Sequence, residues 1–407
     1  MKKKKLRFRK IRSVWNNVRY LDYYILVPYL ALCLVGIVMV YSASASIKMQ
    51  NGGTPLGYLV KQTIYVVMGV AVMAFMANYP LRHYRTPRFL RDSTLVVGAL
   101  LVIVLVFSRA VNGAKGWISL GFFNIQPVEI CKLYFILYLA DRMAKIRQRG
   151  QHFTTDAKGP WLIIAVFLGL IMIQPDIGGM AINGAIIAIM LLAADYKWGV
   201  GLEIILVLPA LGYLGLERLV ESGLLQGGGY QVARFVAFLN PFGNASGSGN
   251  QLVNSYYAIS NGGVFGVGLG NSIQKMGYLP EPNTDFIMSI TSEELGLVGV
   301  TAILVTLLFL ICRIIQVGVR ADSLYQTLIC YGSATFFTIE TLFNIGGVLG
   351  LLPITGVTFP FISYGGSSML ILSATVGIIM NISMQQNRDR LVMGKPFIPE
   401  TGGVKNV

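Results

Sequence analysis

Charged residues and histidines are scarce in this chain of 407 residues. Only 13% of its residues are Asp, Glu, Lys or Arg, which is about half the share found in ordinary soluble domains. The chain is therefore not expected to fold as a soluble globular protein. Its two histidines, His83 and His152, lie in polar connections between apolar runs, so proton transfer at a site elsewhere would depend on carboxylates.

Cysteine is also rare, and its placement argues against disulfides. The four cysteines form no C-x-x-C pair, and all of them fall within apolar runs: Cys33, Cys131, Cys312 and Cys330. They are predicted to be buried thiols rather than disulfides or metal ligands. No ligand cluster in the sequence demands a metal ion, although assistance by a divalent cation such as Mg²⁺ or Mn²⁺ stays open as an alternative.

The chain has long apolar runs instead. It is 54% hydrophobic, and runs of about 16 to 25 residues recur, each able to cross a hydrocarbon layer about 30 Å thick. The sequence therefore predicts an all-α polytopic membrane protein with ten transmembrane helices and no soluble domain. The predicted spans are 23–46, 59–79, 92–108, 127–143, 161–174, 177–195, 200–216, 286–312, 323–344 and 366–386.

The basic residues predict the orientation of these spans. Most of the 33 Lys and Arg residues fall on one side if the N-terminus is cytoplasmic, as the positive-inside rule requires. Residues 1–22 and 387–407 are then cytoplasmic tails that flank a single membrane domain, 23–386. The net charge of +15 is explained by orientation and by contact with anionic lipid headgroups, and no nucleic-acid partner is expected.

Two segments depart from simple spans. The connection 217–284 is rich in both glycine and aromatic residues, which predicts an ordered extracellular cap on the membrane surface rather than a disordered loop. The segment 344–368 is apolar but interrupted by glycines and prolines. It predicts re-entrant backbone that lines a cavity open to the outside, because non-helical backbone at membrane depth needs protein or water around it.

Three acids stand at the head of the eighth span, in the stretch "LPEPNTDFIMSITSEELG". Thr284 is predicted to cap a continuous helix, 285–312, with Asp285 in its first turn at the outer boundary. Glu293 would share the face of Asp285, and Glu294 would point the opposite way. Asp285 is either a catalytic group or only a capping acid, and Glu293 either a functional or a buried structural acid.

Other charged residues have a functional and a structural interpretation. Glu129 and Lys132, in "QPVEICK", are three residues apart and can pair on one helix face. Asp176, in "QPDIGG", could take part in chemistry or simply bond free backbone groups between two spans. The cations on the predicted outer side suit a diphosphate, or else are scattered surface charge: Arg109, Lys115, Lys132, Arg234 and Lys275.

The order of the motifs resembles one known family over nearly the whole chain, from Asp22 to Asn387. The motifs "MVYSAS", "NGAKGW", "QPVEICK", "QPDIGG", "NSYYAISNGGVFGVGLGNSIQK", "LPEPNTDFIMSITSEELG" and "LPITGVTFPFISYGGSS" are similar to those of the shape, elongation, division and sporulation (SEDS) family. The resemblance is nearer to the division member than to the elongation member. It implies an inverting peptidoglycan glycosyltransferase that polymerises lipid II at the outer face of the bacterial plasma membrane, at the division septum.

The resemblance also implies roles for individual residues. Asp285 of the "TDF" motif would be the catalytic residue, acting as general base while polyprenyl diphosphate leaves. Substrate binding is assigned to motif positions and nearby cations: Arg234, Lys275, Lys115, Lys132, Glu129, Arg109, Ser367 and Ser368. Asp176, Glu293, Glu294 and Glu340 are assigned structural or secondary polar roles.

The sequence departs from the family pattern at two positions. Gly116 stands where the first outer motif has a basic residue, and Glu340 stands where Gln is usual, which leaves the role of Glu340 in doubt. A class B penicillin-binding transpeptidase and other division proteins are the implied partners. A transporter of lipid-linked precursor, built on intramembrane charges and broken helices, is the alternative function, and a scaffold role is a further one.

Overall fold

The computed structural model describes residues 19–50, 56–108, 116–151 except 120 and 122, 158–195, 218, and 230–393 except 246 and 248. Within these ranges the chain is mostly helical, with irregular connections and one small hairpin. The helices are α1 Tyr23–Gln50, α2 Leu56–Asn78, α3 Pro87–Phe107, α4 Pro127–Gln148, α5 Lys158–Ile173, α6 Ile177–Asp195, α7 Tyr230–Leu239, α8 Asn250–Gly262, α9 Ile287–Val319, α10 Leu324–Val348 and α11 Gly366–Met393.

The all-α polytopic architecture predicted from the sequence is confirmed. Helices coincide with nine of the predicted spans, and the remaining span, 200–216, lies outside the described residues. Within the described part, seven helices are long and apolar enough to cross a membrane: α1, α2, α3, α6, α9, α10 and α11. The sequence underestimated helix length most at α9 and α11, which continue seven residues beyond the predicted spans.

The core of the bundle surrounds α4. Almost every side chain of α4 from Pro127 to Ala144 is buried, and this helix contacts α3, α6 and α10. The most extensive helix pair is α2 with α11, where glycines allow close approach. A Cβ at Gly69 would lie 2.6 Å from Ser373 Oγ, and one at Gly377 would lie 2.5 Å from Met73 O. Small residues therefore set the spacing of this pair, as is common in membrane bundles.

Cysteine placement follows the prediction only in part. Cys33, Cys131 and Cys330 are buried free thiols. Cys312 is free but exposed on the outer surface of α9, so its predicted burial is wrong. An apolar run does not distinguish a side chain that faces the bundle interior from one that faces outward.

The eighth predicted span is not the continuous helix expected. Gly296 interrupts α9 with φ 67° and ψ −172°, a backbone conformation that only glycine adopts readily. The predicted cap is also wrong, because α9 begins at Ile287 and Thr284 does not cap it. The break follows directly after Glu293 and Glu294, so these acids lie at an irregular point in the helix.

The glycine-rich segment 262–268 inserts into this break and satisfies its backbone. Val267 N–H donates to Glu293 O at 2.9 Å and Gly268 N–H to Glu294 O at 3.0 Å. In return, Leu297 N–H donates to Gly263 O at 3.0 Å. A Cβ at Gly266 would lie 2.2 Å from Glu294 O, so the close approach requires glycine. These bonds replace the helical bonds that the break removes.

The rest of the long connection packs as short helices on the end of the bundle where α9 begins. From residue 230 onward it contains α7, α8 and two 3-10 turns, Phe242–Asn244 and Gln274–Met276. Helix α8 lies against α9, and Ser255 on α8 contacts Ser289 through their hydroxyls at 2.8 Å. Residues 219–229 of this connection lie outside the described part of the chain.

Candidate functional site

A cavity of about 960 Å³ lies under this connection. Non-helical segments of the chain form most of its wall. At membrane depth such backbone is tolerated where it lines a cavity, because its polar groups can be satisfied there. Its wall includes the end of α3, the middle of α7, the turn between α5 and α6, and the segment between α10 and α11. The polar lining residues include Gln126, Asp176, Arg234, Gln251, Glu281, Thr284, Asp285, Thr355, Thr358 and Tyr364.

A small hairpin that the sequence did not predict closes one side of the cavity. Strands β1, Ile118–Ser119, and β2, Asn124–Ile125, pair antiparallel with Ile118 opposite Ile125. Ser367 attaches this hairpin to α11, since its hydroxyl donates to Asn124 O at 2.6 Å and accepts from Gln126 N at 3.1 Å. Strands of two residues are too short to give an alternating hydrophobic pattern.

Asp285 is held in the cavity wall two residues before α9. Its backbone carbonyl accepts a hydrogen bond from Asn344 Nδ2 at 2.8 Å, and its side chain accepts one from the Thr284 hydroxyl at 2.8 Å. The side chain is half-buried and lines the cavity. The carboxylate is therefore fixed on one side by the protein and accessible on the other.

Arg234 faces the same point of the cavity from α7. Gly356 shows how near the two groups are: a Cβ there would lie 3.5 Å from both Arg234 Nη1 and Nη2, and 3.9 Å from Asp285 Oδ2. Because Gly356 has no side chain, no Cβ occupies this position beside the guanidinium and the carboxylate. The arrangement can bind an anionic group next to a carboxylate base.

The environment of Asp285 changes its acidity. Desolvation by the surrounding protein raises the pKa of Asp285 above its ordinary value, while the Thr284 hydrogen bond and the charge of Arg234 act in the opposite direction. Desolvation is the largest of these effects. A raised pKa makes the ionised carboxylate a stronger base than an exposed aspartate.

The cavity lies at the end of the bundle opposite the N-terminal tail. At the far end of α9, Arg313 Nη2 lies 2.8 Å from Asp22 Oδ2, just before α1 begins. Asp285 precedes the first turn of α9, so the helix length separates it from Asp22. The cytoplasmic N-terminus predicted from the basic residues therefore predicts that Asp285 and the cavity face the external side.

Asp176 combines both interpretations offered by the sequence. Its Oδ1 accepts from Gly179 N–H at 2.7 Å, which satisfies a free backbone donor at the start of α6. It also lines the cavity, and it interacts electrostatically with Lys132, Glu129 and Arg234. Asp176 is thus a capping residue whose charge acts on the cavity.

Glu129 and Lys132 form the ion pair predicted from their spacing. Lys132 Nζ lies 2.6 Å from Glu129 Oε1, and it also pairs with Glu340 Oε1 across the bundle. All three side chains are buried, so two carboxylates share one ammonium between α4 and α10. Lys132 does not line the cavity; the triad lies behind the cavity wall, where it does not contact the space for a substrate.

Lys275 differs most from its predicted place. Its ammonium is buried and donates to Glu294 Oε1 at 2.6 Å and to Ser42 Oγ at 3.0 Å. Only 2% of the side chain is exposed, and Lys275 does not line the cavity. Its predicted contact with a diphosphate is therefore replaced by a structural pair that ties the long connection to α1 and α9.

Glu293 and Glu294 hold the long connection rather than the substrate. Glu293 is buried and accepts from Asn261 Nδ2 at 2.8 Å, from Ile273 N–H at 3.0 Å and from the Ser272 hydroxyl. Glu294 accepts from the Ser42 hydroxyl and from Lys275. Both acids therefore bind residues of the segment 272–275, which follows the loop that inserts at Gly296.

The remaining predicted site residues are structural or outside the described ranges. Ser367 anchors the hairpin, and Ser368 contacts the Thr358 hydroxyl at 3.1 Å. Arg109 and Lys115 lie outside the described residues, although Gly116, next to Lys115, lines the cavity. Within the described part of the chain, no group of three or more His, Cys, Asp or Glu side chains could hold a metal ion.

Glu281 is a cavity residue that the sequence reasoning missed. It lies four residues before Asp285 in "LPEPNTD" and lines the same cavity. Its backbone has φ 51°, which is uncommon for a residue other than glycine. The signal in the sequence was its position between two prolines, since Pro280 and Pro282 predict an irregular turn.

These features define a polytopic helical membrane protein with a carboxylate and a guanidinium facing each other in a cavity at one end of the bundle. Residues 23–388 match the family model of the FtsW, RodA and SpoVE cell cycle proteins. The chain belongs to this family.

Individual relatives and structures agree with that assignment. The chain is 38% identical over 372 residues to the probable peptidoglycan glycosyltransferase FtsW of Bacillus subtilis, covering 89% of this chain and 90% of the relative. Its fold is similar to RodA, the rod shape determining protein of Thermus thermophilus, with a TM-score of 0.62, 23% identity, and 91% and 97% of the two chains covered. Its fold is also similar to a chain of a solved peptidoglycan synthase complex, described as "structural coordination of polymerization and crosslinking by a peptidoglycan synthase complex". The TM-score is 0.69 at 24% identity, with 91% of this chain and 98% of that chain covered.

Proposed function

We propose that this protein is a peptidoglycan glycosyltransferase that polymerises lipid II, with Asp285 as the general base. Family membership and the activity named for the FtsW relative support the reaction class. The observation that carries the mechanism is the pair of Asp285 and Arg234, which face the same open point of the cavity beside Gly356.

The physical nature of the substrate fits a site inside a membrane bundle. A polyprenyl chain gains about 0.8 kcal/mol for each buried CH₂ group, so it stays in the bilayer. The enzyme must therefore bind the lipid-linked sugar at the membrane boundary. The cavity extends from the buried Tyr65 of α2 and from Phe107, the exposed last residue of α3, to Asp285. This shape lets the lipid lie among the helices and the sugars under α7 and α8.

Asp285 removes the proton from the 4-hydroxyl of the acceptor N-acetylglucosamine. The hydroxyl oxygen attacks the anomeric carbon of the donor glycan from the face opposite the diphosphate, so the configuration at that carbon inverts. The bond from carbon to the diphosphate oxygen breaks, and the diphosphate leaves with the electron pair. The raised pKa of Asp285 helps this step, because a stronger base accepts the proton more readily.

Arg234 stabilises the departing diphosphate. Its guanidinium is already in place before the reaction, and preorganised charge often contributes more to the rate enhancement of an enzyme than any other effect. It also offers two parallel N–H groups, which match the oxygens of a phosphate. Lys115 is proposed to contribute positive charge to the diphosphate, since its sequence neighbour Gly116 lines the cavity. Lys275 is not assigned to the diphosphate, because Glu294 already neutralises it.

The finer assignment is to cell division. The similarity to FtsW over most of the chain supports a role at the division septum of a bacterial plasma membrane. A class B penicillin-binding transpeptidase is the proposed partner, since a glycan polymerase needs a crosslinking activity next to it. The synthase complex with a similar fold supports this kind of partner.

Purified protein and fluorescent lipid II test the proposal. The protein, with and without a class B penicillin-binding partner, is expected to convert lipid II into glycan chains that resolve as a ladder on a gel. The same preparation in vesicles is assayed for movement of lipid II between leaflets. Movement without polymer would contradict the proposal and favour the transporter function.

A further inference from the structure

The Thr284 hydroxyl lies between two carboxylates, those of Asp285 and Glu281. The hydroxyl donates to Asp285 Oδ1 at 2.8 Å, and it lies 3.3 Å from Glu281 Oε2. Both carboxylates line the cavity. Glu281 differs from Asp285 in its exposure to solvent, because its side chain is exposed while that of Asp285 is half-buried.

The backbone holds Glu281 in this place at a cost. Its φ of 51° is in the left-handed region, where a residue other than glycine is strained by about 1 kcal/mol or more. The turn is held by Thr284, whose hydroxyl and N–H both contact Glu281 O, at 3.3 and 3.4 Å. Strain of this kind persists where the surrounding structure enforces it, and it is concentrated at functional sites.

We propose that Glu281 is the second carboxylate of the reaction and receives the acceptor's proton from Asp285 through the Thr284 hydroxyl. This inference rests on the proposed function. A bound donor and acceptor would cover Asp285 and exclude water from it, whereas Glu281 at the rim keeps contact with solvent. Glu281 is thus the exit for the proton released at each glycosidic bond.

The transfer balances as follows. The proton leaves the acceptor hydroxyl for Asp285 as the new carbon–oxygen bond forms and the diphosphate departs. Asp285 then donates its proton to Thr284 Oγ1, and Thr284 donates its own hydroxyl proton to Glu281 Oε2. Glu281 releases the proton to water outside, which returns Asp285 and Glu281 to their ionised forms for the next addition.

Each group around Asp285 has a defined effect on it. Glu281 is a like charge, and Arg234 of α7 is the opposite charge. The other titratable groups on the described cavity wall are Asp176, from the turn between α5 and α6, Tyr65 of α2, and Tyr364, before α11. Desolvation and the Asp285 charge raise the pKa of Glu281 above its ordinary value, and Thr284 opposes them. The raised pKa makes the ionised Glu281 a better proton acceptor at neutral pH.

The test is the rate of lipid II polymerisation as a function of pH in the full-length protein. Glu281→Gln is expected to lower the rate at least tenfold with an unchanged KM for lipid II. It should also move the acid limb of the profile to lower pH, because loss of a like charge lowers the pKa of Asp285. Thr284→Val should lower the rate too but move the limb to higher pH, because it removes a hydrogen bond to the ionised Asp285. Thr284→Ser keeps the hydroxyl and should recover most of the rate that Thr284→Val loses, with the acid limb moved back toward that of the parent.

A second variant separates the relay from a structural role. Glu281→Gly relieves the backbone strain, so it is expected to melt at or above the temperature of the parent while losing at least tenfold in rate. Added formate should restore part of that rate by supplying a carboxylate at the rim. If both Glu281 variants show the rate and the pH profile of the parent, the proposed proton relay is wrong. If Asp285→Asn is inactive in the same assay, Asp285 still stands as the proposed base. An active Asp285→Asn variant would overturn the base itself.

Discussion

The ammonium of Lys275 lies 2.6 Å from Glu294 Oε1, and 2% or less of either side chain is exposed to solvent. This pair joins the long connection to the helix that follows Asp285, with Ser42 of α1 as a shared hydrogen-bond partner. Its position explains why a cation that the sequence predicted on the outer side need not bind substrate. The pair supports the site from behind.

Removal of one partner should therefore destabilise the fold. Lys275→Met leaves Glu294 buried without its cation, and an uncompensated buried charge costs about 3 to 5 kcal/mol. The melting temperature of the detergent-solubilised variant is expected to fall. The double variant Lys275→Met with Glu294→Gln removes both charges and should recover most of the stability and the polymerase activity. A double variant that folds but is inactive would instead indicate that Lys275 binds the substrate.

Arg234 should affect both the rate and its pH dependence. Arg234→Ala removes a charge that stabilises ionised Asp285, so the pKa of Asp285 should rise further and the acid limb should move to higher pH. The rate at neutral pH is expected to fall by about 10²-fold or more, as for loss of a preorganised group that stabilises charge in the transition state. Arg234→Lys, which keeps the charge but not the parallel N–H groups, should be intermediate. A parental profile in Arg234→Ala would remove the diphosphate assignment.

The break in α9 should tolerate no side chain. Gly296→Ala places a Cβ 2.3 Å from Gly266 N in a backbone conformation with φ 67°, so the inserted loop would have to move. Loss of folded protein is expected in size-exclusion chromatography and in thermal melts. Gly169→Ala in α5 is the matched control, because nothing lies within 4 Å of that position, and replacement of a helical glycine should stabilise by about 0.5 to 1 kcal/mol.

Glu340 should be the dispensable member of the buried triad. Glu340→Gln removes one of two carboxylates that share Lys132, which leaves a balanced pair with Glu129. The variant is expected to melt at or above the temperature of the parent, since a surplus buried charge is costly. Lys132→Met, with both acids retained, should instead lose folded protein. A large loss of stability in Glu340→Gln would contradict this account of the triad.

The sequence predicted what depends on local pattern. Run length and apolarity located the described spans, and the i, i+3 spacing predicted the pair of Glu129 and Lys132. It could not predict that Glu340, 208 residues away, completes that pair, because this contact depends on how α4 packs on α10. The partner of Lys275 was missed for the same reason. The break at Gly296 was missed because a single glycine in an apolar run is usually compatible with a helix.

The sequence singled out Asp285 and Arg234 as site residues, but it did not single out Glu281. The resemblance to a family picked out Asp285, and the structure places that carboxylate in a cavity beside Arg234. Glu281 had no signal of its own beyond the two prolines that flank it. Glu293 is buried, as one of its two interpretations predicted, but its partners come from a loop whose path no periodic pattern indicates.

The most direct test of the account is polymerisation of lipid II by Asp285→Asn. The amide has nearly the same shape as the carboxylate but cannot accept the proton, so the rate should fall by about 10²-fold or more. The folded-state pKa of Asp285 is raised, so its ionised form opposes stability at neutral pH, and the variant should melt no lower than the parent. A folded Asp285→Asn protein that makes glycan at the parental rate would contradict the central claim.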